Sequence, residues 1–338
     1  MHSVILNHLH HFDELSLSEA YGGDPRASAR LKSCSGKSSG TWLIAFPSSW
    51  WVSIGDDCFI MALRFRCGMQ VSVPGQTCKH AKIKERSVIC EQCLDKYGDH
   101  AISCCFGGHM FTRHGAINSV IAEAGRVAGY TAYCEQVVPE LCQVMVLSTG
   151  VVKVKEARID VELFGHAYAP SHLVDGTVKH PAAASHVRRA SQEIGYTAQE
   201  GEKAKKKRYP PAHGKSVLAG SMETWGRTSE SFDSLLKDLA VLASRRQRER
   251  GMQPTKWLIK WQTQLSMNVA IHIGRALFDA LSHDRKRDYF TRQSLSTHFD
   301  GADILADALR EDGGVEFSET DGIAGDGMAG GPLERDNG

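Results

Sequence analysis

Three cysteines and a histidine near residue 100 have a spacing that is typical of zinc-binding loops. Two residues separate Cys90 from Cys93, and three separate His100 from Cys104. Thiolates and imidazoles bind Zn²⁺ tetrahedrally, and four protein ligands leave no position open for a catalytic water. The spacing therefore predicts a structural zinc site.

Neighbouring residues leave the ligand set open. Cys105 is an alternative fourth ligand, and Cys78 or His80 could replace the first ligand. All ten cysteines lie between Cys34 and Cys142, which favours metal binding in a reducing compartment over a disulfide framework. Buried thiols that bind no metal are the alternative interpretation.

Two aspartates lie on neighbouring predicted strands, Asp160 within residues 158–163 and Asp175 within residues 173–178. Adjacent strands are about 4.8 Å apart, so two carboxylates on one face can share a divalent cation. Hydrolysis of a phosphodiester with Mg²⁺ needs such carboxylates, and usually a lysine that stabilises negative charge. The two aspartates therefore form a candidate Mg²⁺ site for this reaction.

The lysine of this candidate site does not follow the usual pattern, in which it comes two residues after the second acid; that position is Thr177. Lys179 lies on the same face as Asp175, but four residues of strand span about 13 Å, which is too far for one metal site. Lys205, on a charged helix predicted over residues 198–209, can reach over the sheet edge instead. The alternative is a solvated basic helix that contacts phosphates without chemistry.

The elements that would position these residues follow from hydrophobic periodicity. In order, the pattern predicts an amphipathic helix (113–128), β-rich stretches (131–138, 144–163 and 173–180), the charged helix and a strand (216–223). This order predicts an α+β fold, with a mixed central sheet flanked by helices. Glu135 and Glu223 lie on predicted strands and are weaker candidates for a further metal ligand, with surface carboxylates as the favoured interpretation.

The net charge of +1 hides a basic block over residues 203–208. The residues of this block that we expect to bind nucleic-acid phosphates are Lys203, Lys206, Lys207 and Arg208. No apolar stretch reaches the roughly 20 residues of a membrane span, and the N-terminus has no secretory signal pattern. We therefore expect an intracellular protein.

Several short motifs follow one another between about residue 39 and residue 281. They include Tyr97-Gly-Asp-His-Ala-Ile-Ser-Cys104, Arg113-His-Gly-Ala-Ile-Asn118, Arg158-Ile-Asp160, Val174-Asp175 with His180-Pro181, Lys205 with Arg208-Tyr209, and Glu223-Thr-Trp-Gly226. In order and spacing they resemble the C-terminal region of site-specific non-LTR (LINE-like) retrotransposon polyproteins. There, a reverse transcriptase is followed by a Cys/Cys/His/Cys knuckle and a restriction-like endonuclease.

The resemblance implies a PD-(D/E)XK, restriction-endonuclease-like core. It implies zinc ligands at Cys90, Cys93, His100 and Cys104, Mg²⁺ ligands at Asp160 and Asp175, and a displaced catalytic lysine at Lys205. Ile159 stands where the family usually has proline or a small residue.

The function that the resemblance implies is a DNA-nicking endonuclease module without the reverse transcriptase, with DNA and element RNA as partners and a nuclear location. A non-catalytic, zinc-containing nucleic-acid-binding remnant is the alternative. An open reading frame that keeps its fold without function is a third interpretation.

We expect six segments along the chain. They are a disordered leader (1–39), a helical linker region (40–89), the zinc knuckle (90–110), the endonuclease-like domain (111–226), packing helices (227–310) and a disordered, acidic, glycine-rich tail (311–338). The first packing helix should bury Phe232, Leu235, Leu236 and Leu239, which recur at helical spacing.

Overall fold

The computed structural model of the chain describes residues 23–45, 53–84, 87–146, 148–165, 170–247 and 251–281. The tail at 311–338, the end of the packing-helix segment and the first part of the leader lie outside the described residues. Within the described ranges, no helix is long and apolar enough to cross a membrane.

The first helix, α1 (Pro25–Cys34), lies in the segment where the sequence pattern indicates an irregular leader. Two residues define its start. The carboxylate of Asp24 accepts a hydrogen bond from the Arg26 amide at 2.9 Å, and Pro25 occupies the first turn, where its missing N–H costs nothing. The leader is therefore helical over residues 25–34.

Two helices flank the cysteine-rich loop, α2 (Asp56–Cys67) and α3 (Asp99–Ser103). The next helix, α4 (His109–Ala128), ends at Gly129, which has a left-handed φ of 102°. The apolar residues that α4 buries include Ile117, Val120, Ile121, Ala124 and Val127. They form the face that the i, i+3, i+4 periodicity predicts, so this part of the prediction is confirmed.

Two sheets follow. The strands of the first sheet lie side by side in the order β1 (Thr131–Val137), β4 (Arg158–Phe164), β5 (His172–Lys179) and β6 (Val217–Glu223). The second is a hairpin of β2 (Gln143–Val146) and β3 (Val152–Lys155), which the chain forms between β1 and β4. The β-rich stretch predicted at 144–163 is therefore divided between the hairpin and β4.

The four-stranded sheet is mixed. β4 pairs with β1 and β5 in antiparallel orientation, whereas β5 and β6 run parallel. A parallel pair needs a crossover connection, and here it contains α5 (Val187–Ala190) and α6 (Tyr196–Arg208). The mixed sheet with flanking helices agrees with the predicted α+β class.

The helix α6 packs closely on the sheet at Gly201. A Cβ atom at this position would overlap the hydroxyl group of Ser221 on β6 and crowd the methyl group of Thr177 on β5. Only glycine permits such a close approach of helix and sheet. Because residues four apart share a helix face, this contact also holds Lys205 above the sheet.

Two long helices complete the core, α7 (Glu230–Arg246) and α8 (Pro254–Leu281). The predicted buried face of α7 is confirmed for Phe232, Leu235, Leu236 and Leu239. These helices and α4 share the largest hydrophobic cluster with strand residues Val161, Val174 and Met222. One face of the sheet is therefore covered by packed helices.

Candidate functional site

Four side chains around α3 form a group that could hold a metal ion. The ligand atoms of Cys78, Cys90, His100 and Cys104, the cysteine cluster, all lie within 4.8 Å of one another. Cys78 Sγ is 4.0 Å from Cys104 Sγ, and Cys90 Sγ is 3.4 Å from His100 Nε2. Three thiols and an imidazole suit a metal such as zinc.

Backbone pairing positions the first two ligands. The Cys78 amide donates to Gln92 O at 2.8 Å, and the Cys90 amide donates to His80 O at 2.9 Å. The segment around Cys78 therefore runs beside the segment around Cys90. This pairing brings together two thiols that eleven residues separate in the chain.

The other two ligands are held by α3. The carboxylate of Asp95 accepts hydrogen bonds from the amides of Tyr97, Asp99 and His100 at 2.9, 3.0 and 2.7 Å, which fixes the start of the helix. Cys104 follows the last residue of α3 directly. A short helix thus carries His100 and Cys104 to the same place.

The predicted ligand set differs from the cysteine cluster at one position. Cys93 is exposed and lies outside the group, and Cys78, which the sequence leaves open as a competing ligand, takes its place. The physical reason is that Cys93 pairs with Thr77 in an isolated antiparallel β-bridge instead of closing a tight turn with Cys90. Cys105 is also exposed and outside the group.

His80, the other competing residue, is buried beside the cysteine cluster but is not part of it. Its Nε2 lies 2.8 Å from the carbonyl oxygen of Ala276 on α8. This hydrogen bond leaves Nε2 unable to bind a metal ion. The imidazole ring also packs beside that of His109 in a tilted arrangement, with 4.6 Å between ring centroids. His80 therefore packs the loop against α8.

Two thiols of the cysteine cluster have shifted pKa values because they are hydrogen-bonded to each other. The hydrogen bond between Cys78 and Cys104 lowers the pKa of Cys78 and, together with burial, raises the pKa of Cys104 to about 12. Metal binding requires thiolates, so a bound cation would have to displace this proton.

Asp160, Asp175 and Lys205, which we call the carboxylate site, lie together as the sequence predicts. Lys205 Nζ is 2.7 Å from Asp175 Oδ2, and the amide of Gly176 donates to Asp160 Oδ2 at 2.6 Å. The pairing of β4 with β5 ends at Val161 and Val174, one residue before the two aspartates. The Asp160 carboxylate thus accepts a hydrogen bond from the Gly176 N–H, which has no backbone partner on β4 beyond the end of the pairing.

The two aspartates have opposite tendencies to ionise. Burial and the hydrogen bond with Asp160 raise the pKa of Asp175 to about 7. Burial works in the same direction on Asp160, but its hydrogen bonds, the first of them with His114, outweigh burial and lower its pKa to about 2. The carboxyl group of Asp175 therefore takes up a proton near neutral pH, whereas that of Asp160 stays ionised.

Lys205 rather than Lys179 reaches these carboxylates. The side chain of Lys205 is largely buried in its ion pair with Asp175, and the end of α6 is anchored by the Tyr209 hydroxyl, which donates to Arg158 O at 3.1 Å. Lys179 lies at the far end of β5, in register with Glu223.

Neither glutamate named as a weaker candidate lies at the carboxylate site. Glu135 is exposed on β1 with a positive φ of 55°. Glu223 is buried, and its carboxylate accepts hydrogen bonds from Thr197 Oγ1 at 2.6 Å and the Ala198 amide at 3.3 Å. Glu223 therefore holds the first turn of α6.

His114 and Asn118 are site residues that the sequence reasoning did not assign. His114 Nε2 lies 2.9 Å from Asp160 Oδ2 and 3.3 Å from the Gly176 carbonyl oxygen, and the Asp160 contact raises the pKa of His114. Asn118, one turn later on α4, is buried against Gly176. Their i, i+4 spacing beside a predicted buried face was the available signal.

The basic block lies on the outer side of α6. Lys203 forms an exposed ion pair with Glu200 at 2.8 Å. Lys206, Lys207 and Arg208 are exposed, and none of them forms an ion pair with another described residue. The last turn of α6 therefore offers positive charge next to the carboxylate site.

An ionic contact connects the cysteine cluster to the sheet. Asp99, on α3, lies 2.5 Å from Arg26 Nε and 3.1 Å from His180 Nε2, at the end of β5. Burial opposes ionisation of Asp99, but the hydrogen bonds with Arg26 and His180 lower its pKa below the ordinary value. The loop that carries the cysteine cluster is thus fixed to the strand that carries Asp175.

Comparison with protein-family models, with curated proteins and with solved structures finds no match to this chain.

Proposed function

We propose that the chain is a divalent-metal-dependent DNA endonuclease of the PD-(D/E)XK, restriction-like type, derived from a site-specific non-LTR retrotransposon. The observation that carries the proposal is the meeting of Asp160, Asp175 and Lys205 where β4 and β5 separate. The mixed sheet, whose crossover connection carries Lys205 on α6, supports it. A role on chromosomal DNA implies a nuclear location.

The donor set of the carboxylate site fits a divalent cation. Asp160 and Asp175 are both buried, and the carbonyl oxygen of Gly176 lies beside them. Mg²⁺ and Mn²⁺ prefer such oxygen ligands. The pKa of Asp175, about 7, fits a carboxylate pair whose second negative charge needs a cation.

Each residue then has a separate task. A divalent cation held by Asp160 and Asp175 would polarise the scissile phosphate and lower the pKa of the attacking water. Lys205, held in place by Asp175, stabilises the negative charge that develops on the phosphate. Lys206 and Lys207 bind neighbouring phosphates of the DNA backbone.

The cysteine cluster has a structural task in this proposal. Four protein ligands around a Zn²⁺ ion close the site to a catalytic water. The ion would hold α3 in place, and through Asp99 and His180 it would also fix the end of β5. Zinc would therefore support the carboxylate site from a distance.

A second function is favoured by the exposed end of α6. Lys206, Lys207 and Arg208 can bind phosphates whether or not Asp160 and Asp175 perform chemistry. The chain would then be a non-catalytic, zinc-containing nucleic-acid-binding remnant of such an element.

Nicking of supercoiled plasmid DNA separates the two functions. We expect nicking with Mg²⁺ or Mn²⁺ but not with Ca²⁺, and loss of nicking with retained DNA binding in Asp160→Ala and Asp175→Ala. Glu162→Gln, two residues from Asp160 on the same strand, is the matched control and should keep its activity. Salt-sensitive DNA binding without nicking under any divalent ion would support the remnant instead.

A further inference from the structure

The imidazole of His114 lies in the carboxylate site rather than beside it. Its Nε2 is 2.9 Å from Asp160 Oδ2 and 3.3 Å from the carbonyl oxygen of Gly176. Two atoms that bind one ion at about 2.1 Å, at right angles to each other, are about 3 Å apart. Nε2 is therefore spaced from each of these two oxygen atoms as two ligands of a common cation are spaced.

We propose that His114 is a ligand of the cation that Asp160 and Asp175 hold, and that this site takes Mn²⁺ or a similar transition-metal ion in preference to Mg²⁺. The inference rests on the proposed function, because it concerns the same site. Imidazole nitrogen suits first-row transition metals, whereas Mg²⁺ favours a shell of oxygen atoms. A nitrogen ligand would therefore set the metal preference of the enzyme.

Asn118 supports the assignment, because it is buried next to His114 and has an acceptor atom without a partner. Asn118 is only 6% exposed, and no described residue donates a hydrogen bond to its Oδ1. Its Nδ2 lies 3.3 Å from His114 Nδ1 and 3.5 Å from His114 Nε2, so the amide packs against the face of the imidazole ring. The buried amide therefore holds the ring in place beside Asp160.

The packing of α4 on β5 holds the imidazole rigidly in this position. A Cβ atom at residue 176 would overlap Asn118 Oδ1, so the glycine permits the helix and strand to approach closely. His114 and Asn118 lie four residues apart on α4, and Ile117 and Ile121 on the same helix are fully buried. The helix thus presents His114 at the point where β4 and β5 separate.

Pulsed electron paramagnetic resonance with Mn²⁺ tests the assignment on the zinc-loaded full chain. A histidine nitrogen bound directly to Mn²⁺ produces a ¹⁴N modulation. We expect this signal in the wild type and in His186→Gln, a control with another partly exposed histidine. In His114→Gln the ¹⁴N signal should be lost and the Mn²⁺ affinity should fall by at least about tenfold, the lower end of what loss of a neighbouring hydrogen-bond partner costs a metal site.

A second variant keeps the test informative if His114→Gln does not fold. His114→Asp supplies an oxygen ligand in place of nitrogen, so it should bind the cation without a ¹⁴N signal and prefer Mg²⁺ more than the wild type does. Mn²⁺ bound by the wild type without ¹⁴N modulation would overturn the assignment of His114, and metal-dependent nicking would still leave the nuclease proposal standing. Absence of Mn²⁺ binding, together with absence of nicking, would overturn both.

Discussion

Lys205 Nζ and Asp175 Oδ2 lie 2.7 Å apart although the two residues are 30 positions apart in the chain, and α6 makes this contact possible. A lysine two residues after Asp175 would need no helix, but that position is Thr177. In this chain the positive charge comes from α6, a separate element that packs on the sheet at Gly201. The packing of α6 therefore becomes part of the chemistry of the carboxylate site.

The contact of α6 with the sheet can be tested at Gly201. Gly201→Ala gains about 1 kcal/mol of helix propensity, but the added methyl group overlaps the buried Ser221 hydroxyl, and overpacking costs about 1–3 kcal/mol. We expect a net loss of stability in urea unfolding and a lower nicking rate, because Lys205 is displaced. Gly115→Ala is the control: its Cβ meets open space, so the same substitution should stabilise α4. Equal effects of the two substitutions would contradict the close packing of α6.

The cysteine cluster predicts which thiols hold the metal. Purified, reduced protein should contain about one Zn²⁺ per chain, and Cys78→Ser should lose it and melt at a lower temperature, because structural zinc contributes roughly 10 kcal/mol in small sites. Cys93→Ser is the matched control and should keep its zinc, since Cys93 is exposed outside the cluster. Metal analysis and thermal melting of the two variants measure the effect. Zinc lost in Cys93→Ser but kept in Cys78→Ser would support the ligand set that the spacing alone predicts.

The raised pKa of Asp175 predicts a pH dependence of the metal-free protein. Its value of about 7 lies above the ordinary aspartate value, so the folded chain binds the proton more tightly than the unfolded chain does. This contribution to stability is fully present below pH about 4 and is lost as the pH rises through about 7. We expect the unfolding free energy to fall over that window in the absence of divalent ions, and Asp175→Asn to flatten the profile. A profile that is identical in the variant would show that Asp175 does not titrate there.

The affinity of the carboxylate site for a cation should depend on pH in the opposite direction and increase as the pH rises. Below pH 7 the cation must displace the proton on Asp175, so the affinity for Mn²⁺ should weaken by up to about tenfold per pH unit as the pH falls. Titration of Mn²⁺ at pH 6 and pH 8 measures the effect.

The exposed end of α6 predicts how DNA binding depends on salt. Each phosphate contact changes the slope of log K against log salt by about 0.9, so the double variant Lys206→Ala/Lys207→Ala should flatten it by up to about 1.8. Lys203 is already paired with Glu200 and should contribute less. Lys256→Ala, on the exposed first turn of α8, is the control. An unchanged slope in the double variant would place the DNA surface elsewhere.

Periodicity predicted the parts of the fold that depend on burial along one element. The inner faces of α4 and α7 follow from residues three and four apart, and the structure buries those residues. Lys205 was predicted because it lies on a charged helix after β5 that can reach over the sheet edge, and because the resemblance implies a displaced lysine there. These features depend on local spacing and on simple rules of connection.

Contacts between distant segments determine the features of the two sites that the sequence did not predict. Cys93 has the better spacing from Cys90, but pairing of the Cys78 and Cys90 segments decides which thiol faces the cluster. His114 reaches Asp160 only because α4 packs against β5 at Gly176. Neither relationship leaves a pattern within a single element.

Single-turnover rates of plasmid nicking with Mn²⁺ and with Mg²⁺, compared for the wild type, Lys205→Ala and Lys179→Ala, test most directly whether Asp160, Asp175 and Lys205 form a nuclease active site. Loss of Lys205 should remove charge stabilisation of about 3 kcal/mol, which corresponds to a rate decrease of roughly a hundredfold. Lys179→Ala should nick at nearly the wild-type rate, because the register of β5 places it four residues from Asp175. An essential Lys179 with a dispensable Lys205 would contradict the account.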